Sequence, residues 1–279
     1  KSVEIVSIPL SVTEDNLLGS VDVEFLLKKR EKRFIPGLIA KAHRQILYID
    51  EVNLLPDHIV DDILDVAATG WNRIEREGFS IQHPADFILI GTMNPEEGEL
   101  RPQILDRFAI SVYLQPVTDP GIRKEIIRRN LEFEKNPQGF VNKCESQTNA
   151  IKELITLSKL KLEKIQLSTD LYDLVVYFCA INKVDGHRAD INIIKTAITY
   201  AALELKDIVE FKHINQAVKL ALGHRTRDGG MMKPMSPDEI DQSLKDIKTQ
   251  LPSKKQKSSV NYQNLNFLNG GLLEPSKKV

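Results

Sequence analysis

Cysteine is scarce in this chain of 279 residues, which carries only Cys144 and Cys179. Two cysteines without a pairing pattern fit a reducing cytoplasm better than a disulfide framework, so we expect both to be small apolar side chains. An excess of charge of one sign is also lacking, because 38 Lys and Arg residues face 39 Asp and Glu residues. A nearly neutral chain has no overall field to attract nucleic acid or a membrane surface.

Long apolar runs and metal-binding histidine pairs are absent as well. The longest apolar runs fall far short of the roughly 20 residues that a membrane span needs. The six histidines form no HExxH or HxxxH pair, so no protein-bound catalytic zinc is expected. An apolar content of 42% and a charged content of 28% instead predict an ordinary globular protein of one large or two small domains.

The clearest functional pattern is QILYIDE at residues 45–51. Its apolar stretch is typical of a strand buried on both faces, and it ends in Asp50 and Glu51. Carboxylates at the carboxyl end of a parallel strand lie where α/β sheets bind ligands. There Asp can hold the Mg²⁺ of a nucleotide and Glu can polarise water, which is the Walker B pattern of P-loop NTPases. An apolar run before Asp-Glu is common, however, so the pattern alone is weak.

A second pattern follows at residues 87–107. FILIG at 87–91 predicts another buried strand, and Asn94 lies just beyond it, placed to orient an attacking water. Arg101 precedes a helix that starts with Pro, and Arg107 follows six residues later. Exposed arginines here could place a positive charge beside the γ-phosphate bound by a neighbouring subunit. The alternatives are that Asn94 caps a loop and that Arg107 is a solvated helix charge.

Periodicity divides the chain into a mixed part and a helical part. Residues 19–25 alternate as a half-exposed strand, residues 28–33 are a charged hairpin tip, and WNRIEREGFSIQ at 71–82 predicts a β-hairpin centred on Glu77-Gly78. Helical spacing dominates after a boundary near residues 134–150, with helices at 152–164, 170–182, 188–205 and 212–224. Residues 236–250 form a charged, weakly helical segment. Residues 251–279 lack periodicity and are rich in Lys, Ser, Asn, Gln and Gly, which favours disorder.

Four strings resemble the ATPase subunit of magnesium chelatase, the I-type AAA+ subunit. They are PLSVTEDNLLGSVDVE, FIPGLIAKAHRQILYIDEVNLL, GWNRIEREGFSIQHPADFILIGTMNPEEGELRPQILDRF and VDGHRADI, which span roughly residues 6–225. WNRIEREG and NPEEGELRPQILDRF are the most specific, since AAA+ proteins of the MoxR type share only the outline.

This resemblance implies an α/β fold, in which an AAA+ P-loop NTPase core with a parallel sheet and inserted β-hairpins precedes an all-helical lid domain. We therefore expect a partial core at residues 1–135, a lid at 136–235 and a charged, disordered tail at 236–279. The implied activity is ATP hydrolysis that drives magnesium or cobalt insertion into a tetrapyrrole on a separate large subunit. ATP and Mg²⁺ are the implied cofactors. The implied partners are further copies in a homo-oligomeric ring, taken as a hexamer, a middle AAA+/integrin-I-type subunit and the large porphyrin-binding subunit. The implied location is the cytoplasm or a plastid stroma.

The resemblance also implies roles for individual residues. Asp50 would bind Mg²⁺, Glu51 would polarise the hydrolytic water, and Asn94 would hydrogen-bond that water or the γ-phosphate.

Three arginines complete the implied site. Arg107 would be an arginine finger for the next subunit, with Arg101 as a secondary candidate in the same interface. Arg188, in VDGHRAD, would face the nucleotide in cis as the sensor-2 arginine. The alternative for Arg188 is a helix-start charge paired with Asp190.

One departure from the family pattern is the lack of GxxxxGK[ST] in a chain that starts at Lys1. We interpret it as a truncation before the first strand, the P-loop and the P-loop helix. A nucleotide-blind partner that only completes a ring, as a non-hydrolysing scaffold, is the alternative, although such partners tend to lose the other site residues. A MoxR-like chaperone that matures a metalloprotein or complex is a further alternative.

Overall fold

The chain forms two compact units that divide between Arg107 and Phe108. The structure is a computed structural model that describes residues 3–22, 25, 28–29, 33–76 and 79–250. The division lies before the expected boundary at residues 135 and 136. Helix Pro120–Lys135 belongs to the second unit because it packs on the helix after it. The rings of Phe133 and Phe140 make an edge-to-face contact there, with 5.9 Å between their centroids.

The first unit is α/β. Its elements are β1 (Ile5–Ile8), α1 (Glu14–Leu18), β2 (Gly19–Val21), β3 (Phe34–Pro36), α2 (Leu38–Lys41), β4 (Ile46–Ile49), α3 (Asp57–Thr69), β5 (Trp71–Arg76), β6 (Phe79–Pro84), β7 (Ile88–Gly91) and α4 (Pro102–Leu105), with 3-10 turns at Val52–Leu54 and Pro95–Glu97. α3 ends at Gly70, whose φ of 72° is the left-handed conformation that glycine adopts without strain.

The central sheet is parallel, in the order β1–β4–β7. Ile49 lies opposite Ile8 on one side and Gly91 on the other. Asp50 directly follows β4 and Thr92 directly follows β7, so both residues lie at the same edge of the sheet. The expected parallel sheet is confirmed, and it brings the ends of β4 and β7 together.

The two faces of this sheet differ in burial. Leu47 and Ile49 point to one face and are fully buried, whereas Ile5, Ile88 and Ile90 are 65%, 62% and 43% exposed. The prediction that residues 87–91 form a buried strand is therefore wrong for alternate residues of β7. Side chains alternate between sheet faces, and the described residues cover only the face that carries Leu47.

Two antiparallel hairpins accompany the sheet. β2 pairs with β3, and β5 pairs with β6 in a register that runs from Trp71 opposite Pro84 to Arg76 opposite Phe79. Both inserted hairpins are thus confirmed. The expected strand at 19–25 is shorter, because β2 ends at Val21, and residues 25, 28 and 29 are helical. The Glu77-Gly78 turn and residues 30–32 of the charged tip lie outside the described residues.

The second unit is helical. It contains α5 (Pro120–Lys135), α6 (Pro137–Lys161), α7 (Thr169–Ile181), α8 (Arg188–Leu203), α9 (Phe211–Leu222) and α10 (Pro237–Gln250), with a 3-10 turn at Leu162–Lys164. Ser168 caps the start of α7, because its Oγ accepts from the Leu171 amide at 3.3 Å. In the described part of the chain, no helix is long and apolar enough to cross a membrane.

Two segments of the second unit are more helical than the sequence indicated. α6 begins at Pro137, where Asn136 Oδ1 accepts from the Gly139 amide at 3.0 Å, so the expected boundary region at residues 134–150 is mostly helix. Within the tail expected at 236–279, the weakly helical segment at 236–250 contains the full helix α10, Pro237–Gln250. It is ordered because Ile240, Leu244 and Ile247 are buried in the core that α7, α8 and α9 share.

Candidate functional site

Asp50 lies directly after β4 and is held by two hydroxyl groups. Thr92 Oγ1 donates to Asp50 Oδ1 at 2.6 Å, and the Tyr48 hydroxyl donates to the same oxygen at 2.9 Å. The Thr92 hydrogen bond, followed by that of Tyr48, lowers the pKa of Asp50 below its ordinary value. These contacts stabilise the charged form of the carboxylate.

The chemistry of Asp50 fits a hard cation. Both hydroxyl groups bind Oδ1, so within the described residues Oδ2 keeps its lone pairs for a further ligand. Mg²⁺ prefers oxygen ligands and is commonly bound through one or two carboxylates together with substrate phosphates. Asp50 is therefore the residue of this edge that could hold Mg²⁺.

Glu51 follows with an unusual backbone. Its φ of 55° and ψ of 57° are left-handed, a conformation that residues other than glycine seldom adopt. The Glu51 amide donates to Thr92 Oγ1 at 3.0 Å, and the Val52 amide donates to the Thr92 carbonyl at 2.8 Å. The negative charge of Glu97, then burial, then Asp50 raise the pKa of Glu51.

Asn94 lies beyond β7 and caps a turn. Its Oδ1 accepts from the Glu96 amide at 3.2 Å, which closes the 3-10 turn Pro95–Glu97. The Nδ2 of Asn53 donates to the Asn94 carbonyl at 3.4 Å and to the Gly98 carbonyl at 3.1 Å. This geometry matches the loop-cap alternative in the present structure, while a role in orienting water stays a prediction.

Three residues at this edge had no role in the sequence-based site. They are Thr92, which binds both Asp50 and Glu51, Asn53, which binds the loop after β7, and Glu97, whose charge acts on Glu51. A hydroxyl directly after the strand next to β4 was a usable signal for Thr92. The sequence offered no such signal for Asn53 or Glu97, since their placement depends on how the loop folds back.

Arg101 and Arg107 lie against α3. Arg101 forms an ion pair with Asp57. Arg107 Nη1 lies 3.3 Å from Asp61 Oδ1, and Arg107 Nη2 lies 2.8 Å from Asp65 Oδ1. In the described part of the chain the ion pairs of both arginines run to α3, and the structure does not bring them to the carboxylates after β4.

Arg188 belongs to the second unit, where it is the first residue of α8. Asp190, in the same turn, has its Oδ2 at 3.7 Å from His187 Nδ1. Burial, followed by the contact with Asp190, raises the pKa of Cys179, so this thiol is a poor nucleophile.

Comparison with known proteins gives the chain its family. A family model described as an AAA domain of the dynein-related subfamily matches residues 1–108, and one described as an AAA lid domain matches residues 179–247. The magnesium-chelatase subunit ChlI homolog of Methanocaldococcus jannaschii is 43% identical over 251 residues, which are 90% of this chain and 69% of that protein. The chain belongs to the magnesium-chelatase ChlI family.

Further similarities agree with this ChlI-family membership. The magnesium-chelatase subunit ChlI of Cyanidium caldarium is 40% identical over 245 residues, which cover 88% of this chain and 69% of that protein. A crystal structure of a putative ATPase from Cytophaga hutchinsonii shares the fold, with a TM-score of 0.58 and 17% identity over 87% of this chain and 75% of that one. The lid match reaches residue 247 and so includes most of α10.

Proposed function

We propose that this ChlI-family chain is the ATP-hydrolysing motor subunit of a magnesium or cobalt chelatase. It would drive metal insertion into a tetrapyrrole bound on a separate large subunit. The observation that carries the proposal is the pair of adjacent carboxylates after β4, fastened to the end of β7 by Thr92. This arrangement occurs in a chain whose relatives are named as magnesium-chelatase subunits.

The proposed chemistry divides the carboxylates by their environments. Asp50, held ionised by Thr92 and Tyr48, would bind Mg²⁺, which when bound neutralises charge on the phosphates. Glu51 would accept a hydrogen bond from the attacking water and polarise it. Its raised pKa makes it the more basic of the two carboxylates. Asn94 would bind that water or the γ-phosphate through its side-chain amide.

The proposed arginine roles require more than one copy of the chain. Phosphoryl transfer depends on positive charge placed at the transferring group. The guanidinium of Arg107 lies against α3 and is partly exposed, which suits delivery to a nucleotide on an adjacent copy. We accordingly propose a homo-oligomeric ring, with six copies as the simplest case, in which Arg101 is a second interface residue. Arg188 would act in cis as the sensor-2 arginine.

The proposed partners follow from the division of labour in a chelatase. This chain would supply ATP-driven motion, and the porphyrin site would lie on the large subunit, with a middle subunit between them. Cytoplasm or plastid stroma suits its two cysteines, both of which are free thiols in the structure.

Mixing two inactive variants of the full-length protein tests the proposal. Glu51→Gln should keep ATP binding and slow turnover by roughly 10²–10⁴-fold, because Gln preserves size but cannot polarise water as strongly. Arg107→Ala should also bind ATP and slow turnover by about 10³–10⁵-fold, the range for fingers supplied in trans. Mixed rings should regain activity, since some interfaces then pair an intact Glu51 with an intact Arg107.

The controls separate assembly from catalysis. Ring formation and ATP binding are measured for each variant, and ATPase rates are then compared with and without candidate middle and large subunits. Wild-type turnover by Arg107→Ala would remove its finger role, and wild-type turnover by Glu51→Gln would leave Glu51 a structural carboxylate. ATPase activity that no chelatase subunit alters, together with no metal insertion in the complete mixture, would favour a different AAA+ function.

A further inference from the structure

Three aspartates form a stripe along the exposed side of α3. Asp57, Asp61 and Asp65 are spaced four residues apart, which places them on one face of the helix. The stripe receives both arginines from the segment after β7, since Asp57 pairs with Arg101 while Asp61 and Asp65 pair with Arg107. These ion pairs give the acidic face of α3 a defined set of partners.

The contacts of Arg107 fix the direction of its guanidinium. Nη1 lies 3.3 Å from Asp61 Oδ1 and Nη2 lies 2.8 Å from Asp65 Oδ1, so each terminal nitrogen is held by a different carboxylate. Nη1 also donates to the Asp61 carbonyl at 3.5 Å. A planar guanidinium held at both ends keeps few of the rotamers open to a free arginine.

The same contacts are weak enough to yield to a phosphate. The side chains of Asp61 and Asp65 are 53% and 67% exposed, and exposed ion pairs contribute little stability. Arginine binds phosphate oxygens through charge-assisted hydrogen bonds. A γ-phosphate can therefore replace a carboxylate while the other carboxylate still orients the side chain.

We propose that Asp61 and Asp65 are positioning residues for Arg107, which present its guanidinium in the direction needed by a nucleotide on the adjacent copy. This proposal rests on the proposed role of Arg107 as a finger in trans. The two aspartates do not touch the reacting atoms, and their contribution is to reduce the conformational freedom that Arg107 loses when it meets the phosphate.

The test is steady-state ATPase kinetics of full-length Asp61→Asn/Asp65→Asn rings. Asn keeps the shape of Asp but removes the charge that holds the guanidinium. We expect kcat to fall about three- to tenfold with an unchanged KM for ATP, because the lost orientation matters only when the finger engages. Asp62→Asn is the matched control, since it removes the same charge from the same helix at a residue that lines a surface depression with Arg73 and Glu75.

A double-mutant cycle with Arg107→Ala separates positioning from a structural role. The two Asn substitutions should cause no further loss of kcat when Arg107 is already alanine. The proposal would be overturned if the two Asn substitutions lowered kcat equally in the Arg107→Ala background, or left kcat unchanged in the otherwise wild-type protein. It would also be overturned if Asp61→Asn/Asp65→Asn turned over faster than wild type, because the aspartates would then keep Arg107 away from the nucleotide. Wild-type turnover by Arg107→Ala alone would instead reject the finger itself. If the double variant does not form rings, Asp65→Asn, which removes the 2.8 Å contact, undergoes the same cycle.

Discussion

Thr92 is the residue that joins the two strands at the candidate site. Its hydroxyl donates to Asp50 at 2.6 Å and accepts from the Glu51 amide at 3.0 Å. Its carbonyl accepts from the Val52 amide at 2.8 Å, which continues the β4–β7 pairing past the last strand residues. One side chain therefore orients the proposed metal ligand and also supports the left-handed backbone of Glu51.

Replacing Thr92 by Val should weaken the use of Mg²⁺ by the full-length protein. The isosteric Val removes the hydroxyl that most lowers the pKa of Asp50, so the carboxylate becomes less well oriented and its pKa rises toward its ordinary value. We expect the Mg²⁺ concentration for half-maximal ATPase activity to rise on the order of three- to tenfold. Thr92→Ser keeps the hydroxyl and should stay near wild type. Equal Mg²⁺ dependence in both variants would contradict this role.

Residues that follow a strand were predictable from the sequence, whereas contacts between helix faces were not. Asp50 and Glu51 end an apolar run, so their place at the sheet edge follows from strand periodicity. Arg107 was assigned from its place after β7, but its partners Asp61 and Asp65 lie more than forty residues earlier. Their pairing depends on how the chain after β7 packs on α3, which one-dimensional spacing does not specify.

At the scale of single elements, α5 carries ion pairs between charged side chains on its own surface. Arg128 donates to both oxygens of Glu125, at 2.7 and 2.8 Å, and Arg129 donates to one of them at 2.7 Å. The Arg128 and then the Arg129 hydrogen bonds lower the pKa of Glu125 from 4.5 to about 2. Residues three and four apart meet on a helix surface, which is why these groups can pair.

The stabilising effect of Glu125 should depend on pH in a defined window. A carboxyl whose pKa is depressed in the folded state contributes fully above its unfolded pKa and loses that contribution as pH falls through the folded pKa. The difference in thermal midpoint between wild type and Glu125→Gln should therefore be largest above pH 4.5 and shrink toward pH 2. Glu134→Gln is the control, since it removes a charge from the same helix but leaves the Arg128 and Arg129 contacts with Glu125. Its difference from wild type should not show this pH dependence. A constant difference for Glu125→Gln across this window would contradict the assignment.

Elements with strong periodicity were predictable, and elements without it were not. The 71–82 hairpin and α7 match their alternating and helical patterns closely. The first half of α6 was missed because residues 142–150 are almost all polar and show no apolar stripe. The exposure of Ile88 and Ile90 was also missed, because an apolar run reveals a strand but not which of its faces is covered.

At the scale of the whole molecule, each unit has a core of its own. Ile59 and Ile63 of α3 are buried in the first unit. Leu174, Ile193 and Leu244 are buried in the core formed by α7, α8, α9 and α10 in the second. The change from mixed to helical periodicity predicted two parts, but their division between Arg107 and Phe108 follows from which helices pack together.

Cavities in the two cores should affect separate thermal transitions. Leu244→Ala and Ile63→Ala each remove a fully buried side chain and should each destabilise the affected unit by about 2–5 kcal/mol. In scanning calorimetry of the full-length protein, each variant should lower one transition and leave the other near its wild-type temperature. One transition that both substitutions shift equally would show instead that the units unfold together.

At Glu51, thermal stability and the proposed activity favour different residues, because the backbone there is left-handed. A residue other than glycine in this conformation costs about 1–2 kcal/mol, and the proposed water-polarising carboxylate bears that strain. A thermostabilisation campaign guided by backbone conformation would choose glycine there and would delete the carboxylate along with the strain. Position 51 should therefore be held fixed in any such engineering, since the substitution most favourable to the backbone is the one that removes the proposed chemistry.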